Sequence, residues 1–324
     1  MLRAMFLRHV HGIVALVLIL AVSACEPRDV LRPGPEDPDD PQLASVADQA
    51  ITVAKLEAAL RMRPPDVEPL AADGESQAIL DAEIRRQIFA QEALGRQMQT
   101  EPRHLRALGA INRRVLAERA VNLWLEQKTD ETATLAAFEI YLAGLRRDDP
   151  PRIDEESRQT AVTGIRVRRG SDSRAGGEPL ARWHDRQALS VNDFRTWLDR
   201  RGQSQRTLDE SRTAELLQCF LDEAQLARTV DNAWLYDDPT ARARVAVEHT
   251  HELARRFQDT VAAHIEPDDD PAQVFVDLAA ALARDRYPVR RTDRPLSLVD
   301  WNTSPVAPNG RAVFRRVFAC DAAN

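Results

Sequence analysis

At 324 residues the chain is long enough for one large domain or two modest ones, each with a sizeable core. Its formal charge of −7 at pH 7 excludes sequence-independent nucleic-acid binding, which needs a dense basic surface to displace counterions. Three cysteines with no C-x-x-C pair among them argue against a thioredoxin-like centre or a cysteine zinc site.

The chain begins with Arg3 and Arg8, followed by the apolar run "IVALVLILAV" and the small residues Ser23 and Ala24 before Cys25. The run has the length of a signal-peptide core and is too short to span a bilayer comfortably. The order of basic end, apolar core and "VSAC" resembles the bacterial lipobox. The resemblance implies that residues 1–24 are removed and that Cys25 carries lipid as the first mature residue. An ordinary secretory signal with an incidental cysteine is the alternative. Residues 25–42, "CEPRDVLRPGPEDPDDPQ", are rich in proline and acid and lack an apolar period. They are expected to be a disordered tether, able to lift a folded body some tens of ångströms off the membrane at roughly 3 Å per residue.

From Leu43 a short alternating run leads to a turn at Asp48-Gln49, and Thr52 is placed to cap a helix over "VAKLEAALRM". Prolines 64, 65 and 69 break that helix. A long helix follows over about 75–97, with Leu80, Ile84, Ile88 and Phe89 toward the core. Pro102 suits the first turn of the next, which carries Leu105, Leu108, Ile111 and Val115 at helical spacing. Leu135, Phe138, Leu142 and Leu145 repeat that spacing before "RRDDPPR".

After the Gly- and Ser-rich loop "RGSDSRAGGEP" the text restarts. "DQAITVAKLEAAL" (48–60) returns as "RQALSVNDFRTWL" (186–198): Ile51, Thr52, Val53, Leu56 and Leu60 meet Leu189, Ser190, Val191, Phe194 and Leu198 at one offset, 138 residues. Ser190 and Asp193 form a capping-box pattern. Further on, "IFAQEA" (Ile88–Ala93) is echoed by "CFLDEA" (Cys219–Ala224). The shared order predicts two diverged copies of one helical module: residues 43–160, a linker or short strand over 161–179, and residues 180–324. Helices over about 208–228, 239–264 and "AQVFVDLAAALARD" follow, with one late strand candidate, "RAVFRRVFAC". The fold class is mainly α with short β elements.

The block Leu43 to about Glu126 resembles the N-terminal domain of the SurA/PrsA-type periplasmic foldases, which open with a strand, a turn and "I-T/S-V-x-x-[FL]-x-x-x-L". Here those positions are Ile51, Thr52, Val53, Leu56 and Leu60, and the later pattern falls on Leu80, Ile84, Ile88, Glu92 and Ala93. The match is one of apolar spacing and covers about a quarter of the chain. It implies a lipid-anchored protein of the cell envelope facing the periplasm, with unfolded or assembling exported proteins as partners. Members that isomerise prolyl bonds carry a parvulin domain next. At its expected start, "TAVTGIRVRRG", Gly164 stands where a histidine belongs, and no G-Y-H occurs. The expectation is therefore a chaperone-like binding protein without catalytic residues, metal or cofactor. A divergent prolyl isomerase, or an accessory lipoprotein of a polysaccharide-export assembly, are the alternatives.

Trp124, Trp183, Phe194 and Trp197 are the candidate client-binding residues, as the lining of an apolar groove, although core packing uses the same residue types. His249 and His251 in "EHTHE" diverge on a helix and are expected on a solvated face; Arg255 occupies the second histidine position of H-E-x-x-H. An oxidising compartment permits a disulfide between Cys219 and Cys320; two separate thiols are the alternative.

Overall fold

The computed structural model describes residues 39–62, 73–128, 134–163, 179–185, 188–203, 208–294, 296–301, 310–318 and 320, all within one unit, Pro35–Asn324. The first half opens with the hairpin β1 (Gln42–Val46) and β2 (Gln49–Thr52). Its turn places Ala47 at φ 53°, the left-handed region that two-residue hairpins use. Thr52 ends the strand and starts α1 (Val53–Arg61), its Oγ1 accepting from the Lys55 amide at 3.4 Å. Helix α2 (Asp73–Gly95) and a 3₁₀ turn (Met98–Thr100) lead to α3 (Pro102–Glu126), which begins on proline. Next come α4 (Leu135–Asp148), β3 (Arg152–Ile153) and α5 (Glu155–Thr163).

The second half opens in the same way. Strands β4 (Pro179–Arg182) and β5 (Ala188–Ser190) pair, and Ser190 caps α6 (Val191–Arg200) through a complete capping box with Asp193. Then follow α7 (Glu210–Ala227), the single turn α8 (Trp234–Asp237), α9 (Pro239–Ala262), α10 (Pro271–Asp285) and β6 (Val289–Arg291). A second 3₁₀ turn (Leu296–Leu298) and α11 (Arg311–Phe318) complete the described chain. The fold is mainly helical with short antiparallel strands, and none of its described helices is long and apolar enough to cross a membrane.

Neither half closes its own sheet. The strand orders are β2-β1-β6 and β3-β4-β5, so β6 of the second half completes the first hairpin and β3 of the first half completes the second. The two hairpins share a register: Ala44 faces Ile51 as Ala181 faces Leu189, and each has an irregularity just before that pair. Ala44 meets Arg291 on its other side, and Ala181 meets Ile153. The helices follow the same exchange. Helix α9 packs along α1 and α2 while α3 packs along α6 and α7; α10 lies on α2 while α4 lies on α7; α3 and α9 cross each other. Residues 43–160 and 180–301 are therefore interlocked within one unit, not two bodies in series.

The cores record this. Leu43, Leu56, Leu80, Ile84 and Phe89 bury against Leu253, Phe257 and Ala279 of the second half, with Phe89 and Phe257 rings 5.5 Å apart. Leu180, Phe194, Trp197, Leu217 and Phe220 form the second cluster with Ala161. Of the predicted core positions on α3, Leu105 is the exception and is exposed.

The two Phe-x-x-Glu-Ala words place a buried carboxylate in each half. Glu92 accepts from Arg96 Nε at 2.9 Å, Arg286 Nη1 at 3.0 Å and Tyr287 OH at 3.0 Å. Glu223 accepts from Trp197 Nε1 at 2.8 Å and Arg201 Nη2 at 2.9 Å, with Arg113 Nε at 3.8 Å. In each case a cation from the opposite half reaches in. Burial alone would raise the Glu92 carboxyl, but its hydrogen bonds outweigh burial and hold it below the usual glutamate value.

The segment "RAVFRRVF" is a helix, not a strand. Its buried residues, Val313, Phe314, Val317 and Phe318, recur at helical spacing, and the Phe314 and Phe318 rings meet at 4.4 Å. In so short a run the alternation of Arg with apolar residues fits either period.

Candidate functional site

Cys25 and residues 164–178, where an isomerase sheet would begin, lie outside the described residues. The four aromatic candidates are core residues. Trp124 packs edge-on against Phe138 at 5.1 Å, and Phe194 is fully buried against Phe220. Trp183 donates Nε1 to Gln225 Oε1 at 2.7 Å, and Trp197 lies under the Arg201 guanidinium at 3.8 Å. None of them lines an open groove, because their apolar faces are already covered and their ring N–H groups in the second half already paired. Cys219 and Cys320 are both free and buried. They are nonetheless neighbours: a thiol–thiol hydrogen bond lowers Cys219 and raises Cys320.

His249 and His251 face neighbouring helices instead of open solvent. His251 Nε2 meets Glu83 Oε2 at 2.7 Å across α9 and α2. His249 Nε2 lies 3.0 Å from His104 Nε2 where α9 crosses α3, and His104 Nδ1 is buried without a partner among the described residues. Such a contact needs at least one neutral ring, one nitrogen donating and the other accepting. Burial, then the charges of His249, Arg256 and Arg200, push His104 down to about 3. Burial also lowers His249, although Glu252 opposes it. Because these folded values lie below the ordinary 6.5, the unfolded chain takes up protons first. Stability should thus be lost as pH falls below 6.5, by up to about 1.4 kcal/mol per pH unit for each ring. Urea unfolding at pH 7 and pH 5 is expected to show a loss of about 2 kcal/mol, smaller in His104→Gln. Equal stability at the two pH values would refute it.

An open cleft, about 260 Å³, lies between α1, α3, α8 and α9. Ala58, Val115, Ala241 and the Trp234 ring form its apolar walls. Arg244, only 7 % exposed, forms part of the floor. Its Nη1 donates to Ala58 O at 3.2 Å and its Nη2 pairs with Glu118 at 3.4 Å and Glu248 at 3.1 Å, while its Nε is buried without a partner among the described residues. Arg61 projects from the end of α1 and pairs with Glu57 at 3.6 Å. Arg119 lies over the Trp234 ring at 5.6 Å and pairs with Glu126 at 3.0 Å. Asp238 Oδ1 is occupied in capping α9 through the Ala241 amide at 2.9 Å. Planar guanidinium groups beside an apolar wall suit reversible capture of an anion, through paired hydrogen bonds in a partly desolvated site. No sequence pattern announces this cleft, since its lining comes from four helices up to 186 residues apart. Among the described residues no three His, Cys, Asp or Glu side chains converge to hold a metal ion.

Comparison with known proteins gives no match: no family model, no curated protein and no solved structure is similar to the chain.

Proposed function

We propose that the chain is an exported, lipid-anchored binding protein of the SurA/PrsA foldase type, built from two diverged copies of one helical module, that holds unfolded or assembling exported polypeptides without covalent chemistry. The observation that supports it is the shared opening of the two halves: hairpins in one register, a hydroxyl cap at Thr52 and Ser190, a short helix, and a longer helix ending in Phe-x-x-Glu-Ala. That opening is the one the foldase resemblance rests on, and the signal and Cys25 supply the anchor. The aromatic candidates are buried in the core, and the open cleft is the binding surface. The mature protein is expected to bind denatured exported proteins and to slow their aggregation, followed by light scattering. A protein that does neither is not a holding chaperone.

A further inference from the structure

The cleft lies at one of two matched crossings of the helices; among the described residues the other is filled by side chains. Counted from Pro102 and Pro239, the first residues of α3 and α9, buried Leu108, Ala110, Leu116 and Ala117 match buried Val245, Val247, Leu253 and Ala254. Counted from the caps Thr52 and Ser190, Arg61 of α1 matches Asp199 of α6. At the closed crossing Arg103 reaches Asp199 at 3.5 Å, His104 fills the space beneath against His249, and Arg256 pairs with Glu101. The matched positions at the open crossing hold Thr240 for Arg103, Arg61 for Asp199 and Ala241 for His104. The filling ring is reduced to a methyl group, and the Arg–Asp pair has become Thr–Arg. Thus neutral Thr240 holds the position from which Arg103 reaches Asp199, and Arg61 pairs instead with Glu57 of its own helix at 3.6 Å.

We propose that this cleft binds a carboxylate that carries an apolar group: either a small organic acid or the free C-terminus of a polypeptide. The carboxylate supplies at Arg61 the negative charge that Asp199 supplies at the other crossing, while the apolar group lies along Ala58, Ala241 and Trp234. Glu118 and Asp238 also line the cleft and would repel a dianion such as a phosphate ester, which favours a single charge. A volume of about 260 Å³ is below the usual range for drug-sized ligands, so the site holds one residue's worth of ligand. Only the polypeptide source rests on the holding function proposed above.

Titration calorimetry of the mature chain tests this with 4-methylpentanoate, a hexapeptide ending in leucine with a free carboxylate, and the same peptide amidated. The free acids are expected to bind saturably, with amidation weakening the peptide at least about tenfold. The double variant R61D/T240R writes the closed crossing's ion pair into the open one. It is expected to unfold at or above the wild-type temperature and to lose the acids. Binding of 4-methylpentanoate alone upholds the carboxylate site with a free organic acid as its ligand; binding of both acids extends it to polypeptide ends. Failure of both acids to bind, equal affinity for the amidated peptide, or undiminished binding by R61D/T240R overturns the proposal. Slowing of client aggregation by the wild-type chain is read separately, so failure of the acids to bind and failure of the holding function are distinguishable.

Discussion

A chain cut inside residues 164–178 is expected to yield two fragments that fold only together. Each fragment carries a long helix, a shorter helix and a strand whose packing partners belong to the other: α3, α4 and β3 serve α6, α7 and β4, while α9, α10 and β6 serve α1, α2 and β1. A lone first fragment would expose Phe89, Leu56 and Ile84 where Phe257 and Leu253 now cover them. It would also leave β1 with an unpaired edge. Burying a large side chain contributes about 1.5–3 kcal/mol, so losing several is comparable with the 5–15 kcal/mol by which typical domains are stable. Co-expressed fragments should therefore co-purify in equal amounts and melt in one cooperative transition. Each alone should be unfolded or self-associated. A fragment that is monomeric and unfolds cooperatively by itself would refute the exchange.

Glu223→Ala is expected to be the most damaging single substitution outside the apolar cores. Glu223 is 1 % exposed and lies among Arg113, Arg201 and the Trp197 N–H. Its removal leaves two largely buried guanidinium groups without their shared counter-charge. Breaking a buried pair from one side costs about 3–5 kcal/mol, because the remaining charge keeps its desolvation penalty. Glu223→Gln retains an acceptor for Trp197 and should lose less. Adding Arg113→Met to Glu223→Ala should recover part of the loss, since the stranded cation is then gone. Urea denaturation of the four proteins checks this; a Glu223→Ala effect below about 1 kcal/mol would show that water reaches the arginines.

These two expectations differ in how far the sequence foreshadows them. The caps at Thr52 and Ser190, the Pro102 and Pro239 starts and the apolar stripes of the long helices are all legible in sequence, because each depends on partners within about four residues. The Phe-x-x-Glu-Ala echo is visible too, but not the purpose of its glutamate. That purpose depends on Arg286 and Tyr287, 194 and 195 residues from Glu92, and on Arg113 for Glu223. The solvated reading of His249 and His251 fails for the same reason: spacing shows that the two rings diverge, but not that α3 and α2 stand opposite each. Likewise an aromatic at helical spacing looks the same in a core or a groove, and packing against Phe138 for Trp124 and against Phe220 for Phe194 and Trp197 makes them core.

The sequence by itself determined the long helices, their starts and the two hairpin openings, because capping, turn chemistry and amphipathic period are short-range. Only the tertiary structure decided that the halves exchange their long helices, a shorter helix each and a strand each. Ala44 can pair with Arg291, and Arg244 reach Ala58, only once the whole chain has closed. The open cleft belongs to that second class: Arg61, Thr240 and Ala241 are unremarkable along the chain and become a site only where two matched crossings differ.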